Sequence, residues 1–274
     1  MTAEDARAVA VEADRIEARA WSDWFTAISP ELRSACGIAV RTVADATLLI
    51  APQIPLTLFN RVIGLGMTRP ASAEDLDAVV TAFVDAGSPT FAVAWGAYSE
   101  PAALTSDLDA RFPTSSRRPS LAKMMRGTAP PPSATSDLRV LPVDRSLIGE
   151  TDRALARANG APHLAGIFVP LLWRPRWHLY AVLDRDVVAG GAALFLDGGS
   201  AWLGMAAVLP EYRRRGGQLA LMVQRIRDAI VAGAVRIFTE TDEPSEPRAN
   251  PSLNNMERCG FRKIWSRTHF VGPT

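Results

Sequence analysis

The sequence predicts an α/β fold built from two halves, because strand-like and helix-like runs alternate along most of the chain. Short apolar runs bounded by glycine or proline are typical of strands, and longer runs with an apolar residue every three or four positions are typical of helices. Two strand-like runs flank the turn Asp184–Asp186, which indicates a β-hairpin. At 274 residues the chain is long enough for one large domain or two of ordinary size.

Composition narrows the classes of function. Hydrophobic residues make up 48% of the chain, so it can bury a sizeable core and is not intrinsically disordered. The 30 lysines and arginines nearly balance the 29 aspartates and glutamates, which gives a formal net charge of +1. A dedicated nucleic-acid-binding protein normally carries a strongly basic face, so no nucleic-acid partner is expected.

Neither a metal site nor a disulfide framework is expected from the cysteines and histidines. Cys36 and Cys259 lie far apart in the sequence, and His163, His178 and His269 are also well separated. None of these spacings is that of a zinc or iron site.

The sequence also predicts a cytoplasmic protein without a membrane partner. Residues Met1–Arg7 are acidic and helix-like, unlike the basic and apolar regions of a signal peptide. The apolar run Ala189–Leu196 is too short to span a bilayer and is interrupted by glycines.

The first half is predicted to cover residues 1–130. Segments rich in proline and serine at 113–118 and 128–133 resemble linkers and loop edges, which places the boundary near 130–137. The runs predicted in this half are a helix over about 2–28, strand-like residues over 33–49, a strand over Arg61–Met67, a helix opened by the capping box Ser72–Asp75, and a strand over Thr90–Trp95.

The second half is predicted to cover residues 138–274. Its predicted strands are 138–143, 178–183, 187–195, 202–208, 235–239 and 261–270, and its predicted helices are about 146–159, 219–233 and 251–258.

The two halves repeat one order of elements, which indicates an internal duplication. In each, a strand leads through a loop into a helix that ends in Ala-Gly, and a second strand follows. The loop of the first half, Thr68–Ser72, lacks the glycines and the run of arginines that the second half has at 213–217. If both halves share a fold, only the second keeps an obvious phosphate-binding loop.

The loop Arg213–Gln218 is the strongest candidate for a binding site. Its sequence is Arg-Arg-Arg-Gly-Gly-Gln, between an apolar strand and a helix. Glycines let backbone N–H groups approach a ligand closely, and the positive end of the helix dipole points into the same space. These features predict a site for phosphate or pyrophosphate, with an exposed basic turn as the alternative.

The second half resembles the GNAT superfamily of N-acetyltransferases. Residues Arg213–Gln218 match the family's loop of Gln or Arg, two variable residues, Gly, one variable residue and Gly or Ala, except that Gln218 occupies the last small position. Asn250–Ser252, ahead of a short helix ending at Cys259–Phe261, resembles the family's second signature. The resemblance covers about residues 138–270. It implies a mixed, mainly antiparallel central sheet with flanking helices in two GNAT-like halves, the first a degenerate copy.

This resemblance implies that acetyl-CoA is a co-substrate and that no metal takes part. The loop N–H groups would hold its pyrophosphate, with Arg213 and Arg215 adding charge at the rim. The strand before the loop would pair with the pantetheine arm, and an N–H there would polarise the thioester carbonyl. Asn250 matches a coenzyme-contacting residue and Ser252 is a weaker candidate, with helix capping as the alternative for both. The expected cofactor contacts are Ala206, Ala207, Val208, Arg213, Arg214, Arg215, Gly216, Gly217, Gln218, Leu219, Asn250 and Ser252.

The candidates for the catalytic groups are Tyr180 and Glu240. Many GNAT members supply a proton to the leaving thiolate from a tyrosine at the position of Met256 or Glu257, and neither residue is a tyrosine. Tyr180 is a conceivable substitute, although a buried strand tyrosine is more often packed with one hydrogen bond. Glu240 is the best candidate for the general base, with a solvated loop carboxylate as the alternative.

Two tryptophans, Trp173 and Trp177, precede the predicted hairpin. They are candidates for lining the pocket of the acceptor amine, with a core or lid position as the alternative. The neighbouring His178 is expected to be structural.

The sequence therefore predicts an acetyl-CoA-dependent N-acyltransferase that acts on a primary amine of a small molecule or a protein by direct attack in a ternary complex. The alternative is an acyl-CoA-binding or scaffold protein that has lost catalysis, which the missing tyrosine favours. Nucleic-acid binding through Arg213–Arg215 is a third reading, weakened by the near-zero net charge. The sequence leaves the acceptor amine and the oligomeric state open.

Overall fold

A computed structural model of the chain describes residues 2–112, 118–243 and 250–273. Its contacts divide the chain into two compact units. The first unit comprises Met1–Lys123, Asp242–Ala249 and Lys263–Thr274, and the second comprises Met124–Thr241 and Asn250–Arg262.

These units differ from the contiguous halves 1–130 and 138–274 expected from the sequence. The C-terminal residues from Lys263 onward pack with the first unit, because they pair there with a strand of that unit. The origin of the halves as two copies of one fold stays a prediction. Most of the first predicted linker, residues 113–117, lies outside the described residues.

Helices and strands alternate along both units. They are α1 (Ala3–Ala27), α2 (Pro30–Cys36), β1 (Ala39–Val43), β2 (Ala46–Ile50), β3 (Arg61–Ile63), α3 (Ala73–Asp85), β4 (Thr90–Gly96), α4 (Leu104–Arg111), β5 (Arg118–Arg126), β6 (Arg139–Pro142), α5 (Ile148–Ala158), β7 (Trp177–Asp184), β8 (Val187–Asp197), β9 (Ser200–Val208), α6 (Gly217–Val231), β10 (Arg236–Asp242), α7 (Pro251–Arg258) and β11 (Arg262–Pro273). Short 3₁₀ turns occur at Pro162–Leu164, Val169–Trp173 and Pro210–Tyr212.

Both units contain a mixed, mainly antiparallel sheet, as the sequence predicts. The strand order in the first unit is β1-β2-β3-β4-β11-β5, and in the second it is β10-β9-β8-β7-β6. In the first unit β3 and β4 are parallel, whereas the β1–β2, β2–β3 and β4–β11 pairs are antiparallel. In the second unit β9 and β10 are parallel, and the β6–β7, β7–β8 and β8–β9 pairs are antiparallel.

The repeated order of elements corresponds to one β-α-β unit in each part of the chain. Helix α3 connects the parallel strands β3 and β4, and helix α6 connects the parallel strands β9 and β10. Helix α3 buries Leu76, Val79 and Phe83, which recur every three or four residues and so form one apolar face. The Phe83 ring stacks on Phe91 of β4 at 4.5 Å between ring centres.

Two predicted elements of the first unit differ substantially from the structure. Strand β3 ends at Ile63 and not at Met67, because Gly64 and Gly66 have φ angles of 89° and 74°, outside the range of a strand. The run predicted as strand-like from residue 33 begins inside α2, which Ser29 caps and Pro30 opens. A serine followed by proline at the first helical position signals the start of a helix, and the prediction from apolar spacing did not use this signal.

A cluster of buried charges lies in the core of the first unit. Asp14 and Glu17 of α1 face Arg61 of β3, Lys123 of β5 and Arg267 of β11, and these five residues are 0–5% exposed. The Glu17 carboxylate lies 2.8 Å from Arg61 Nη2, 2.5 Å from Lys123 Nζ and 3.0 Å from Arg267 Nη1. Burial raises the pKa of Glu17, but the charges of Arg267, Lys123 and Arg61 outweigh it and hold the pKa well below its ordinary value.

Cys36 and Cys259 are both free thiols. Within the described ranges, no three His, Cys, Asp or Glu side chains are grouped in a way that could hold a metal ion. Among the helices that the structure describes, none combines the length and the apolar character needed to cross a membrane.

We expect Glu17→Gln to lower the free energy of unfolding by about 3–5 kcal/mol, because it leaves three buried cations near a single remaining carboxylate. Urea unfolding followed by tryptophan fluorescence measures the change. The matched control is Glu4→Gln, an exposed position in the first turn of the same helix, for which we expect a loss below about 1 kcal/mol. Equal losses in the two variants would contradict the structural role assigned to the cluster.

Candidate functional site

The loop between β9 and α6 has the backbone geometry of an anion-binding turn. Arg214 has a φ of 62° and Gly216 a φ of 80°, so two residues adopt a left-handed backbone conformation before the helix begins. The first helical hydrogen bond runs from Ala220 N–H to Gly216 O, at 2.9 Å. The N–H groups of the first turn therefore have no carbonyl partner within the helix. Such a turn, followed by a helix N-terminus, directs several N–H groups toward one ligand.

A close backbone contact requires the first glycine of the loop, Gly216, whereas the second, Gly217, packs against the end of a side chain. A Cβ at Gly216 would lie 2.4 Å from Thr135 O, and one at Gly217 would lie 2.9 Å from Leu138 Cδ1. Ser136 Oγ also donates to Arg215 O at 2.7 Å. Thr135 and Ser136, which end the boundary segment predicted near 130–137, thus pack against the loop within the second unit.

The three arginines have different environments. Arg213 Nε donates to Val208 O at 3.1 Å, which ties the loop to the end of β9. Arg215 forms ion pairs with Asp137 and, at 2.8 Å, with Asp184, and its hydrogen bonds hold the pKa of both carboxyl groups below their usual range. Arg214 is exposed, and its side chain makes no hydrogen bond or ion pair within the part of the chain that the structure describes. Of the three, Arg214 is the side chain without a partner among the described residues, and cofactor contacts by Arg213, Arg214 and Arg215 stay a prediction.

The corresponding helix of the first unit, α3, has a different N-terminus. Ser72 Oγ accepts from Asp75 N–H, and Asp75 Oδ2 accepts from Ser72 N–H, so side chains of the helix fill its own cap. Arg69 makes two further hydrogen bonds to the Asp75 carboxylate. Helix α6 has neither a side-chain cap nor an acidic residue in its first turn. Of these two helix N-termini, only that of α6 is open to an external anion.

The pairing of β9 with β10 ends before the loop, and the unpaired stretch between the two strands is called the crevice below. Their parallel pairing ends at Trp202 and Phe238, after which Thr239 Oγ1 donates to Leu203 O at 2.8 Å. On its other side β9 pairs with β8, where Ala207 faces Gly191 and Val208 faces Gly190. The predicted cofactor contacts Ala206, Ala207 and Val208 therefore lie on the stretch of β9 that has parted from β10.

An irregularity interrupts β9 just before this stretch. From Gly191 to Ala193 strand β8 advances two residues, while β9 advances three, from Ala207 to Gly204. Met205 has a φ of 54°. The extra residue of a β-bulge turns the strand locally and leaves part of the ladder unpaired.

The predicted catalytic candidates lie in different places. Glu240 is half-buried in β10, past its last residue paired with β9, and so borders the crevice. Tyr180 of β7 is 2% exposed and donates through its hydroxyl to Asp228 Oδ2 at 2.7 Å. Asp228 is eleven residues beyond Gly217 on α6, or about 16 Å along the helix. Burial raises the pKa of Tyr180, and the bond to Asp228 raises it further. Tyr180 has the position of a packed tyrosine with one hydrogen bond.

A polar network joins the start of α6 to α7. Asn250 Oδ1 accepts from the N–H groups of Ser252 and Leu253, so Asn250 caps α7, as its alternative role predicts. Gln218 Oε1 accepts from Asn255 Nδ2 at 2.9 Å, and Gln218 Nε2 lies 3.4 Å from Ser252 Oγ. Gln218 thus binds α7 at a position where the family motif has a small residue. The role of Asn255 could not be read from the sequence, because it depends on how the two helices pack.

Other predicted positions of the site are apolar or distant. Leu219 and Met256 are buried. Trp177 packs in the core against Phe195 and Trp202, whereas Trp173 is 59% exposed and stacks on Arg145. A cavity of about 400 Å³ lies at the C-terminal part of α6, and its lining includes Trp177, His178, Tyr180 and Asp228. This cavity is far along the helix from the loop.

The comparison with known proteins shows a similarity of fold. No protein-family profile matches the sequence, and no curated protein matches it either. A GCN5-related N-acetyltransferase from Kribbella flavida superposes with a TM-score of 0.62 at 14% identity, covering 95% of this chain and 95% of that one. One from Sphaerobacter thermophilus gives a TM-score of 0.60 at 17% identity, covering 89% of this chain and 84% of that one.

A tandem GNAT protein from the clavulanic acid biosynthesis pathway gives a TM-score of 0.58 at 13% identity, covering 78% of this chain and 74% of that one. The match to the Kribbella flavida structure covers 95% of this chain and therefore includes both of its compact units. Together with the mixed sheets and the β-α-β units, these superpositions show that the chain has the fold of the GCN5-related N-acetyltransferases, the GNAT superfamily.

Proposed function

We propose that the protein is an N-acyltransferase that moves an acetyl group from acetyl-CoA to a primary amine of a small molecule or a protein, within a ternary complex. The observation that carries this proposal is the open N-terminus of α6, with the sterically required Gly216, at the end of the bulged strand β9. A ligand with an anionic group and an extended arm suits this arrangement. Coenzyme A has a pyrophosphate and a pantetheine arm and fits both parts.

In this proposal the loop holds the pyrophosphate. The N–H groups from Arg214 to Leu219 supply donors at the positive end of the helix dipole. The Arg214 guanidinium adds a charge that no described carboxylate neutralises. Arg213 and Arg215 act indirectly, since their bonds to Val208, Asp137 and Asp184 fix the loop.

The crevice receives the pantetheine arm. The edge of β9 turned away from β8 at Ala206–Val208 carries backbone groups that can pair with an extended chain as a further strand would. Such pairing places the far end of the arm near the bulge at Gly204–Ala206. Backbone N–H groups there are suited to stabilise charge that develops on an acyl oxygen.

The acetyl thioester supplies an activated acyl group, and the residues of the chain align it and move protons. Attack by the amine nitrogen on the thioester carbon forms a C–N bond and breaks the C–S bond, while one proton leaves nitrogen and one reaches sulfur. Glu240, bordering the crevice, is positioned to take the proton from nitrogen directly or through water. A thiol has a pKa of about 8.5, so the leaving thiolate can take its proton from water without a tyrosine.

A second candidate function is binding of an acyl-CoA without turnover. It is favoured by Met256, which is buried and apolar where many GNAT members have a tyrosine, and by the engagement of the Tyr180 hydroxyl with Asp228. In that case the loop and the crevice would serve as a scaffold or a sensor site. Binding and turnover experiments together separate the two functions.

We expect acetyl-CoA to raise the melting temperature of the protein, because a ligand that binds only the folded state stabilises it. At about one hundred times its Kd the gain is about 2.7 kcal/mol. Thermal unfolding with increasing acetyl-CoA measures it, and pantetheine, which lacks phosphate, is the control ligand expected to give a much smaller shift. An unchanged melting temperature at millimolar acetyl-CoA would rule out the proposed cofactor.

The contribution of Arg214 is best tested with Arg214→Gly. The left-handed backbone there costs an arginine about 1–2 kcal/mol, and a glycine loses about 0.5–1 kcal/mol in chain entropy, so we expect stability to stay the same or rise slightly. Loss of a charge-assisted contact should weaken coenzyme A binding about tenfold. A charge at Gly216 is a poorer test, because any side chain there meets Thr135 O.

The matched control for this variant is Arg185→Gly. Arg185 is also an exposed arginine with a positive φ, 54°, but it lies in the turn between β7 and β8. We expect the same small change in stability and an unchanged Kd, measured by isothermal titration calorimetry. Equal affinities of both variants for coenzyme A would exclude Arg214 from the phosphate site.

Turnover is tested by following thiol release from acetyl-CoA with polyamines, aminoglycosides, amino acids and peptides as acceptors. For an accepted amine we expect Glu240→Gln to lower kcat by about 10²–10⁴, with little change in the Kd for acetyl-CoA. Glu243→Gln is the control, a nearby carboxylate that follows β10 and binds Lys263 at 2.8 Å. Acetyl-CoA binding without turnover of any acceptor would favour the scaffold function instead.

A further inference from the structure

A buried arginine of α6 lies directly against the bulge of β9. Arg225 is 2% exposed, and its Nη1 donates to Ala193 O of β8 at 3.0 Å and to Gly204 O of β9 at 3.2 Å. Its Nε donates to Leu221 O, one turn earlier in the helix, at 3.1 Å, which fixes the side chain. Ala193 and Gly204 are the paired residues at which the regular ladder stops. Arg225 therefore satisfies the two carbonyl groups at the start of the bulge.

The positive charge of Arg225 is unusual for this task. Among the described residues its hydrogen bonds all go to backbone carbonyl oxygens, and it has no carboxylate partner. Burial lowers the pKa of Arg225 to about 10, so the group remains a cation at neutral pH. Burying an unpaired cation is costly, and a neutral amide side chain could also donate to a carbonyl oxygen. Hydrogen bonding alone therefore does not explain why this position carries a positive charge.

The geometry of the strand gives the charge a target. Leu203 O accepts from Thr239 of β10, and carbonyl groups of consecutive strand residues point to opposite sides, so Gly204 O points toward β8 and Arg225. In a planar trans peptide the N–H lies opposite the C=O. The N–H of Met205 is therefore turned toward β10, where β9 and β10 have parted. A cation bound to the carbonyl end of a peptide strengthens its N–H as a donor.

We propose that Arg225 is a positioning residue for acyl transfer, which fixes the Gly204–Met205 peptide so that Met205 N–H faces the crevice and binds the thioester carbonyl oxygen. This inference rests on the proposed function. The proposed function already places the acyl-oxygen contact at the bulge, and the new element is the buried side chain that orients the peptide there. The charge of Arg225 acts through the peptide and does not touch the substrate.

The test compares Arg225→Met, Arg225→Gln and Arg225→Lys with the wild-type protein, using coenzyme A and acetyl-CoA labelled with ¹³C at the thioester carbonyl. Difference infrared spectroscopy measures the carbonyl stretch of the bound thioester, which moves to lower frequency when its oxygen accepts a stronger hydrogen bond. Calorimetry measures the Kd of each ligand. Neither readout requires the acceptor amine.

In the wild-type protein we expect a lowered carbonyl frequency and a preference for acetyl-CoA over coenzyme A of about two- to tenfold, the value of one hydrogen bond. Arg225→Met and Arg225→Gln should lose most of the frequency shift and of the preference, with the Kd for coenzyme A changed less than about twofold. Arg225→Lys, which keeps the charge, should retain most of the shift. If the methionine variant does not fold, the glutamine variant decides, because it keeps a donor for the carbonyl groups.

The matched control is Arg126→Met, another buried arginine of the second unit that donates to backbone carbonyl groups, those of Cys259 and Ala129. It should lose stability and keep both readouts. An unchanged carbonyl frequency in Arg225→Gln, while the wild-type protein binds and shifts the thioester, would overturn the role of Arg225 and leave the proposed function intact. A wild-type protein that binds neither ligand would refute the proposed function and this inference with it.

Discussion

The close contact between Gly216 and the Thr135 carbonyl is the constraint on which the candidate site depends. Because no side chain fits between them, the segment before β6 packs directly beneath the loop and fixes where α6 begins. Ser136 then holds the Arg215 carbonyl, and Arg215 binds Asp137 and Asp184. The result is a turn held by several contacts, ahead of a helix whose first N–H groups have no side-chain cap. An anion bound there meets donors that are already oriented.

The two β-α-β units show how one arrangement can keep or lose such a site. In α3 the capping box of Ser72 and Asp75 satisfies the helix N-terminus and places a carboxylate at the positive end of the dipole. In α6 the corresponding positions are Gly216 and Leu219, which cannot form such a cap, and the first turn has no acidic residue. The first unit is organised instead around the buried ion cluster of Glu17, which ties α1 to three strands.

Periodicity and turn signals were sufficient to predict most helices and strands, and the loop motif located the candidate site. What the sequence could not give were features set by distant contacts. The last strand pairs with β4 of the first unit, and strand pairing leaves no local signal. The three arginines look alike in the sequence, yet only the positions of Val208, Asp137 and Asp184 distinguish Arg214 from its neighbours. Arg225 reads as a helix surface residue until the bulge beneath it is known.

Nuclear magnetic resonance of the ¹⁵N-labelled protein tests the central claim most directly, because it reports on both helix N-termini in one sample. On addition of coenzyme A we expect the largest amide shifts at residues 214–219 and along the edge of β9, with the capped turn at 73–76 unchanged. That turn serves as an internal control, since α3 has the same place in its β-α-β unit. Saturating coenzyme A that left the amides of Gly216 and Gly217 unshifted, or moved both turns equally, would contradict the assignment of the phosphate site to α6.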